Sequence, residues 1–563
     1  MNVNQKAWNW LVVTASNDLQ AAAYRSLLKS REGSALLASF ERWQVIPDPA
    51  GQRVGSGGST VFCLLEIASK VMQEVLFPVD SWEKLEELLG SQRVMIIHAG
   101  GDSRRLPAYA PCGKLFVPIP NCHGGVVETS GYSFSLFDRL LSDLVQLPVG
   151  KEGRGQYLVV SGDTLLLYNP NEVRFDFSGL TAVGVRRPLN ECLRHGVLCA
   201  DADARVRLYL QKPTRQLMES SGALLNSNEG LLDAGLMSFD TRFAIKLMQS
   251  LGVEFASGKR LKWNNSFLSR TMEKGLDFYR EICCALGTDS SLERYLHSVR
   301  QSGSFWPEAE LESLYCGLED LPFYYQIVSW CDFLHFGASA QLISSAQSLV
   351  KWNSRTKEEV KREFVINSRV LSSGMLMGKS YWIEGCQIED RLLLEGENVL
   401  TGITFQKAQR FPRSCCLDIS EGVQPNGSSC WFIRPYGIND SFKESLKGKG
   451  TFCNLLLKEW LSKSGIDPEW IWDNIEEEEK CTLWNARFFP ALENPSNYQD
   501  WLWYYAPEKA RNNPSLVDRF LNTPRYDCST MARLVDLDKF YARRLALNCS
   551  GVGRITDKKQ NEK

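Results

Sequence analysis

Short apolar runs that end in polar loops alternate with helical segments over residues 8 to about 350. Residues 8–13 (WNWLVV), 94–97 (VMII) and 157–160 (YLVV) have the composition of buried strands. Residues 19–32 have helical spacing, and the apolar positions between 64 and 75 fall on one helix face. The alternation predicts an α/β domain with a mostly parallel, doubly wound sheet. Ligands on such sheets bind outside the carboxyl ends of the strands.

Two changes of pattern divide the rest of the chain. Over residues 361–445, short β-branched or apolar pieces alternate with Gly, Asn and Ser, which is typical of a β-helix or another small all-β unit. Residues 446–563 are helical in pattern and rich in Trp and Tyr, which we interpret as core, and they end in a polar tail expected to be disordered. We therefore predict an α/β domain over 1–360, a β-helix-like domain over 361–445 and a helical C-terminal region over 446–563.

Composition restricts the partners and the location. The formal net charge is −2, so the chain has no overall attraction to nucleic acid or to an anionic membrane. The 17 cysteines are scattered without CxxC pairs, which favours reduced thiols. No run approaches the roughly 18 apolar residues of a membrane span, and the N-terminal apolar run is too short for a signal peptide. We expect a cytoplasmic protein that binds neither nucleic acid nor membrane.

Two glycine-rich loops each follow a predicted strand and precede a helix, at residues 55–60 and 100–105. Glycine lets backbone N–H groups close around a phosphate. A tight turn explains the first loop equally well. The second is more specific, because Arg104, Arg105 and Lys114 place three cations beside it, and nucleotidyl transfer requires the roughly four negative charges of a nucleoside triphosphate to be offset. The alternative for this loop is a solvated basic loop.

Other polar residues stand at the ends of predicted strands. Asp163 follows the strand at 157–160, where a Mg²⁺ ligand is expected, although capping of the next turn is equally compatible. Lys212 ends another strand and can contact a second phosphate. The segment 232–235 is predicted as a strand-like turn that reaches a sugar hydroxyl. Glu281 is either a second metal carboxylate or an exposed helical acid.

The segment HAGGDSRRLPAYAPCGK, residues 98–114, resembles the nucleotide-binding signature of the GDP-L-fucose pyrophosphorylase (fucose-1-phosphate guanylyltransferase) family. That family includes the N-terminal half of bifunctional fucokinase/GDP-fucose pyrophosphorylases. Further segments resemble the family in the same order along the chain: RVGSGGST, SGDTLL, RHGVL, YLQKPT, LLDAGL, FLHFGASAQL, FIRPYGIND and TLWNARFFP. The resemblance extends from Trp8 to about Pro490, and more loosely beyond.

The resemblance implies a Rossmann-like nucleotidyltransferase domain, a left-handed β-helix-like unit and a helical segment. It also implies a Mg²⁺-dependent reaction of GTP with L-fucose 1-phosphate that gives GDP-L-fucose and pyrophosphate. Carried over position by position, it assigns nucleotide and triphosphate contacts to Gly57, Gly58, Gly100, Gly101, Ser103, Arg104, Arg105 and Lys114. It assigns metal binding to Asp163, sugar-phosphate contact to Lys212, and the sugar side to His195, Gly196, Asp233 and Gly235.

This sequence departs from the family in two respects. Glu281 stands where the family usually has Asp, which puts its predicted metal role in doubt, because Mg²⁺ tolerates little error in distance. The chain also has no stretch that resembles the kinase half of the bifunctional enzymes. We therefore expect a pyrophosphorylase alone, with a separate fucokinase upstream.

Three alternatives stay open at this point. The first is a pyrophosphorylase for another sugar 1-phosphate or another nucleotide. The second is a catalytically silent binding module, and the third is part of a fused enzyme. The intact arginine loop and Asp163 favour activity.

Overall fold

The structure is a computed structural model that describes residues 7–101, 103–120, 133–151, 153–355 and 359–549. It is a mixed α/β protein that divides into two compact units. The first unit comprises the residues up to Gly101 together with Asp138–Phe333. The second comprises the described residues between Ser103 and Phe137 and those from Leu334 onward. The division into three domains that the sequence predicts stays a prediction.

The described strands are, in chain order, β1 (Trp8–Ala15), β2 (Phe40–Pro47), β3 (Arg93–His98), β4 (Gln156–Ser161), β5 (Thr164–Tyr168), β6 (Leu180–Pro188), β7 (Gly196–Ala200), β8 (Val206–Gln211), β9 (Leu224–Asn226), β10 (Glu229–Phe239), β11 (Val253–Ala256), β12 (Arg260–Trp263), β13 (Phe323–Ile327), β14 (Cys331–His335), β15 (Glu363–Ile366), β16 (Arg369–Val370), β17 (Met375–Gly378), β18 (Tyr381–Glu384), β19 (Gln387–Ile388), β20 (Arg391–Leu394), β21 (Asn398–Thr401), β22 (Thr404–Phe405), β23 (Gln409–Phe411), β24 (Cys415–Val423), β25 (Ser429–Gly437), β26 (Thr451–Phe452), β27 (Leu455–Leu456), β28 (Phe489–Leu492) and β29 (Arg525–Tyr526).

The described α-helices are α1 (Asp18–Lys29), α2 (Gly55–Glu74), α3 (Trp82–Leu89), α4 (Leu136–Leu144), α5 (Leu189–Cys192), α6 (Arg215–Ser220), α7 (Thr241–Ser250), α8 (Asn265–Lys274), α9 (Leu292–Gln301), α10 (Glu308–Leu318), α11 (Ser339–Ser354), α12 (Leu457–Ser464), α13 (Glu508–Asn512), α14 (Pro514–Asn522), α15 (Cys528–Leu534) and α16 (Leu537–Cys549).

The first unit is built on a ten-stranded sheet with the strand order β13-β6-β10-β4-β3-β1-β2. In addition, β7 and β9 pair with β10, and β8 pairs with β7. Neighbouring strands in β2-β1-β3-β4 are parallel, and β13 is parallel to β6. β10 runs antiparallel to both β4 and β6. The predicted α/β class is therefore confirmed, but the sheet is mixed and not mostly parallel, because β10 and the strands added beside it pair antiparallel. Strand β14 pairs with β5 in a separate two-stranded sheet.

Apolar side chains explain why these segments form the core of the first unit. Strands β1 and β3 are buried over most of their length. The predicted helix face on α2 is also buried, with Leu64, Ala68 and Met72 in one cluster with the sheet. The loops that leave these strands run over the surface, so polar residues collect where the strands end.

The second unit contains three stacks of parallel strands. The first stack has the order β15-β18-β21-β24, and its strands begin at Glu363, Tyr381, Asn398 and Cys415. The other two stacks are β16-β19-β22 and β17-β20-β23. After β24 the chain turns back, and β25, β28 and β29 extend the first stack with antiparallel pairs. The described elements from Glu363 to Gly437 are thus all strands, while the β-helix-like domain over 361–445 stays a prediction.

Beyond the stacks, the second unit has a buried aromatic core. Trp460, Trp501 and Tyr504 are almost fully buried, as expected of core residues. Two buried ion pairs accompany them: Arg434 with Asp418 at 2.8 Å and Arg544 with Glu384 at 2.7 Å. The predicted disordered tail lies outside the described residues.

The fifteen cysteines whose side chains the structure describes are all free thiols. Among the described helices, none combines the length and the apolar character that crossing a bilayer requires.

Candidate functional site

Four parallel strands of the first unit end at one edge of the main sheet. The register pairs Ala15 of β1 with Pro47 of β2, and His98 of β3 with Ser161 of β4. The loops that leave these strands therefore start side by side. Since ligands of α/β sheets bind outside the carboxyl ends of the strands, this edge is the candidate functional site.

The turn after β3 is held in place by β1 and α1. Ala99 donates its N–H to Thr14 Oγ1 at 3.1 Å, and the Tyr24 hydroxyl donates to the Ala99 carbonyl at 3.0 Å. Gly101 has a φ of +116°, which glycine adopts at low cost. Gly100 is exposed at the edge. The chain therefore presents open glycine backbone at the strand ends, which is what a phosphate contact requires.

Two residues of the arginine loop, Ser103 and Arg104, belong to the second unit. Ser103 is buried with a φ of 55°, and its hydroxyl has no hydrogen-bond partner among the described residues. The Arg104 carbonyl accepts a hydrogen bond from the Phe442 N–H at 3.1 Å. The Arg104 guanidinium lies 5.6 Å from the centre of the Trp484 ring, within the range of a cation–π contact. Segments near the C-terminus thus hold this half of the loop.

Arg105 and Lys114 also lie in the second unit. The Arg105 carbonyl accepts from the Ser339 N–H at 2.8 Å, while its side chain is exposed. Lys114 is half-buried at the start of a 3₁₀ turn, directly after Gly113, which has a φ of +70°. The boundary between the units therefore runs through the signature segment, with the two glycines on one side and the three cations on the other. Asp102 lies outside the described residues.

Asp163 follows β4 at the same edge as Gly100. Gly162 donates its N–H to the His98 carbonyl at 2.8 Å, and a Cβ at Gly162 would lie 2.9 Å from that oxygen. This glycine therefore permits the close approach of the ends of β3 and β4. Asp163 is half-buried, and its Oδ1 accepts from the hydroxyls of Ser161 at 3.0 Å and Thr164 at 3.4 Å. These contacts orient a carboxylate at the strand edge.

Asp233 lies in β10, in a bulge that the sequence did not reveal. The pairing of β10 with β6 is interrupted between Asp233 and Met237. Within this bulge the Gly235 N–H donates to Asp233 Oδ1, and the Tyr209 hydroxyl donates to Oδ2, both at 2.8 Å. A Cβ at Gly196 would lie only 1.9 Å from the Tyr209 hydroxyl oxygen. Gly196 thus leaves room for the Tyr209 hydroxyl, and Gly235 adopts the positive φ of +73° that lets its N–H reach Asp233.

Asp233 and Asp163 stand on neighbouring strands at the same edge. Leu236 of β10 pairs with Val160 of β4, which brings the bulge level with the end of β4. The structure therefore brings together in the first unit Gly100, Gly101, Asp163, Gly196, Asp233 and Gly235.

Burial raises the pKa of Asp233 to about 6, against an ordinary value of 3.8. The hydrogen bonds from Gly235 and Tyr209 act in the opposite direction, since they stabilise the charged form. A buried carboxylate that is costly to ionise and is held at a strand edge is typical of functional sites.

We predict a pH-dependent difference in stability between Asp233→Asn and the parent. The free energy of unfolding of the variant minus that of the parent is expected to be about 2 kcal/mol larger at pH 7.5 than at pH 4.5. The parent carboxyl binds its proton more tightly when folded than when unfolded, so its contribution to stability rises as the pH falls through 6 and levels off near 4. Asn has no such titration. Denaturant unfolding at both pH values measures the difference, and the same replacement of the exposed Asp203 is the control. A variant-minus-parent difference that is equal at both pH values would contradict this assignment.

Lys212 and His195 lie beside each other at the end of the β7–β8 hairpin. Gly196 pairs with Gln211, and the Lys212 N–H donates to the His195 carbonyl at 3.0 Å. Both side chains are exposed, and the His195 ring stacks on Phe333 at 6.2 Å. Lys212 has a φ of +49°, an uncommon conformation for a residue with a side chain. The predicted pair of sugar-side residues is thus adjacent in space.

The first glycine loop forms the first turn of α2, and its glycines pack closely. The N–H groups of Gly57 and Gly58 donate to the Leu276 carbonyl, at 2.8 and 3.2 Å. A Cβ at Gly57 would lie 3.0 Å from Ile282 Cδ1, and one at Gly58 would lie 2.9 Å from a carbon of Thr271. In this structure both N–H groups are therefore used within the protein. Their predicted contact with the nucleotide stays a prediction.

Glu281 is fully buried away from solvent, with both carboxylate oxygens engaged. Oε1 forms an ion pair with Arg280 Nε at 2.6 Å, and Oε2 accepts from the Asp277 N–H at 2.8 Å. It is not the exposed helical acid that the sequence left open as an alternative. Because Glu281 is fully buried and its charge is already paired with Arg280, we do not include it in the metal site proposed below.

His98 ends β3, but its ring turns into the protein. Its Nε2 lies 3.1 Å from the hydroxyl of Thr60 on α2. Burial lowers the pKa of His98 to about 4, so the imidazole is neutral near pH 7. This histidine connects β3 with α2.

Three polar residues at this edge were not predicted from the sequence. Asp48 follows β2, accepts from Ser59 Oγ at 2.7 Å, and has its pKa raised to about 6 by burial. Tyr209 holds Asp233, and Tyr279 lies near the bulge of β10. A tyrosine in an apolar segment is indistinguishable from core by spacing alone, so only the fold reveals these contacts.

Comparison with known proteins shows the family to which this chain belongs. Residues 86–494 match the fucose pyrophosphorylase domain. This stretch begins before β3 and contains Gly100, Asp163, Lys212 and Asp233, but not Gly57.

The individual relatives have low sequence identity to this chain, but the matches cover most of its length. The chain is 23% identical over 556 residues to the bifunctional fucokinase/GDP-fucose pyrophosphorylase of Arabidopsis thaliana, covering 90% of this chain and 49% of the relative. It is 26% identical over 436 residues to the L-fucokinase/L-fucose-1-P guanylyltransferase of Bacteroides fragilis, covering 75% of this chain and 40% of the relative. It is 22% identical over 537 residues to the fucose-1-phosphate guanylyltransferase of Homo sapiens, covering 87% and 82%. The chain spans about half the length, or less, of the first two relatives.

Proposed function

Because this chain belongs to the fucose pyrophosphorylase family, we propose that it joins GTP and L-fucose 1-phosphate to give GDP-L-fucose and pyrophosphate. The observation that carries the proposal is the family match over residues 86–494. The two carboxylates and the glycine turn at one sheet edge support it, since they provide the groups that a nucleotide sugar synthesis requires. The names of the Arabidopsis, Bacteroides and human relatives agree with it.

In the proposed reaction, a phosphate oxygen of L-fucose 1-phosphate forms a bond to the α-phosphorus of GTP. The bond from the α-phosphorus to the oxygen that bridges to the β-phosphate breaks, and pyrophosphate leaves with that electron pair. The attacking oxygen is already anionic, so the step needs no general base. Catalysis then depends on positioning and on offsetting negative charge.

From the resemblance of residues 98–114 to the family signature, we propose triphosphate contacts for Gly100, Gly101 and Ser103. The same resemblance supports Arg104, Arg105 and Lys114 as the residues that offset the charge of the departing pyrophosphate. Gly100 is exposed and Gly101 has an open, positive-φ conformation, which supports backbone contact. Arginine suits bidentate phosphate oxygens and lysine suits a point contact. For Gly57 and Gly58 we propose a supporting role through Leu276.

Asp163 is the residue that we propose to hold Mg²⁺. Its half-buried carboxylate at the strand edge fits this ion, which is usually held by one or two carboxylates together with substrate phosphates. The described residues contain no group of three or more His, Cys, Asp or Glu that could hold a metal by itself, which is consistent with a site completed by substrate. When bound, the ion would polarise phosphoryl oxygens.

The sugar 1-phosphate is assigned to the other side of this edge. The exposed ammonium of Lys212 would contact its phosphate, beside His195. Asp233 would accept hydrogen bonds from sugar hydroxyls, because Tyr209 and Gly235 already fix its orientation. The enclosed position of this carboxylate favours recognition of a polyhydroxylated ligand.

The finer fold assignments are also proposals. The strand order of the first unit supports a Rossmann-like nucleotidyltransferase domain, and the three parallel stacks support a β-helix-like unit followed by a helical region. A cytoplasmic location, and a separate fucokinase that supplies L-fucose 1-phosphate, complete the proposal.

The experiment that tests the function is a pyrophosphate-release screen with Mg²⁺. GTP, ATP, UTP and CTP are each combined with L-fucose 1-phosphate, with mannose 1-phosphate and with no sugar phosphate. We expect the highest kcat/KM for GTP with L-fucose 1-phosphate. A different preferred pair would establish a pyrophosphorylase of other specificity, and no release with any pair would contradict the proposed function.

A further inference from the structure

Tyr279 lies on an unusual turn between α8 and α9. Residues Phe278–Ile282 form a single π-helical turn. Such turns are rare in proteins, and many of those that occur lie at functional sites. Asp277 caps this turn, with its Oδ1 accepting the N–H groups of Tyr279 and Arg280, both at 2.9 Å. The backbone of Tyr279 is therefore fixed.

The first glycine loop fixes the same segment from the other side. Ser56 Oγ accepts the Phe278 N–H at 2.9 Å, and Gly57 donates its N–H to the Leu276 carbonyl at 2.8 Å. A Cβ at Gly55, which has a φ of +77°, would lie only 2.3 Å from the Leu276 carbonyl oxygen. The glycines of this loop thus allow α2 to clasp the chain directly before Tyr279.

The hydroxyl of Tyr279 reaches the strand edge beside the bulge of β10. An ideal Cβ at Gly235 would lie 3.8 Å from this hydroxyl oxygen. Burial, together with the nearby carboxylates of Asp233, Asp277 and Asp163, raises the pKa of Tyr279 well above its ordinary value, so the hydroxyl keeps its proton. Within the part of the chain that the structure describes, the hydroxyl makes no hydrogen bond. Tyr279 is half-buried, and its hydroxyl oxygen is not enclosed by protein. It is therefore an accessible donor.

We propose that Tyr279 contacts substrate, donating a hydrogen bond from its hydroxyl to the sugar part of the sugar 1-phosphate beside Asp233. This inference rests on the proposed function. A sugar hydroxyl both donates and accepts, so it is matched by a fixed acceptor, Asp233, next to a protonated donor, Tyr279. Tyr209 has the different task of positioning, because its own hydroxyl is already bonded to Asp233.

The test replaces Tyr279 with Phe, which removes the hydroxyl and keeps the ring that packs against Phe278. We expect the KM for the sugar 1-phosphate to rise roughly 10-fold, as for the loss of one hydrogen bond, with the KM for GTP and the melting temperature within error of the parent. Tyr325→Phe is the matched control, because it removes a hydroxyl of the same unit that donates to the Asp201 carbonyl at 2.7 Å. It should leave both KM values unchanged.

A set of monodeoxy analogues of the preferred sugar 1-phosphate locates the contact. The analogue that lacks the contacted hydroxyl should bind the parent and Tyr279→Phe equally, while every other analogue keeps the roughly 10-fold difference. An unchanged KM for the sugar 1-phosphate in Tyr279→Phe overturns the proposal. So does a weakening that is equal for GTP and for the sugar.

The outcome is separable from failure of the proposed function. If the parent forms no nucleotide sugar, the proposed function fails. Binding of L-fucose 1-phosphate and mannose 1-phosphate to the parent and to Tyr279→Phe is then measured by intrinsic tryptophan fluorescence. Weaker binding of either ligand to the variant supports the contact, and equal or absent binding overturns it.

Discussion

Replacing Asp163 with Asn is expected to lower turnover roughly 10³-fold while the protein stays folded, because a metal that polarises phosphoryl oxygens supplies several kcal/mol of transition-state stabilisation. Asn keeps an oxygen that can accept from Ser161 and Thr164, so the local hydrogen bonds survive. It removes the negative charge that makes the strand edge attractive to a divalent cation. The loss should therefore appear in the dependence of turnover on Mg²⁺ and not in the melting temperature.

A Mg²⁺ titration of pyrophosphate release measures this effect. The parent should saturate, and Asp163→Asn should need a much higher concentration of the ion or show no saturation. Asp176→Asn, which neutralises an exposed carboxylate of the same unit, is the control and should follow the parent. A parent-like titration in Asp163→Asn would show that the ion is held elsewhere.

The strands that place Asp163 could be predicted because they are buried on both faces. Parallel strands covered by helices read as continuous apolar runs, and β1, β3 and β4 are of this kind. The edge at which they end then followed from the α/β pattern alone. The position of Gly100 and Asp163 at the carboxyl ends of β3 and β4 could therefore be predicted from the sequence, while their roles stay predictions.

The central antiparallel strand could not be predicted in the same way. β10 carries Asp233 and Gly235 in a bulge that interrupts its pairing with β6, so its sequence resembles a turn. The partner of Asp233 is Tyr209, on a strand that joins the sheet through β7. A contact between residues 24 positions apart leaves no local pattern, so the sequence could suggest segment 232–235 for the sugar but could not reveal that Tyr209 holds Asp233.

The two glycine loops show a different limit. Both have the composition of a phosphate-binding turn, yet the N–H groups of Gly57 and Gly58 are used by Leu276, whereas Gly100 is exposed. A glycine-rich composition indicates that another group approaches the backbone closely, but it does not indicate whether that group is a ligand or another part of the protein. For the first loop the partner is the segment that carries Tyr279.

The second large effect is expected at Arg105, whose replacement by Ala should lower kcat by roughly 10²–10³ with little change in the KM for L-fucose 1-phosphate, as for the loss of one transition-state donor. The Arg105 side chain is exposed, and its backbone is held by Ser339, so truncation should leave the loop in place. Arg105→Lys keeps the charge but loses the bidentate geometry, and should recover only part of the rate.

Steady-state kinetics in both directions separate this role from a general loss of charge. If Arg105 offsets the charge of pyrophosphate, Arg105→Ala should also weaken pyrophosphate as a substrate of the reverse reaction, because the same guanidinium would hold it on arrival and on departure. Arg413→Ala removes an exposed arginine of the same unit and is the matched control. Turnover within threefold of the parent in Arg105→Ala, with unchanged use of pyrophosphate, would place the offsetting charge on other residues, and Arg104→Ala and Lys114→Ala in the same assay would identify them.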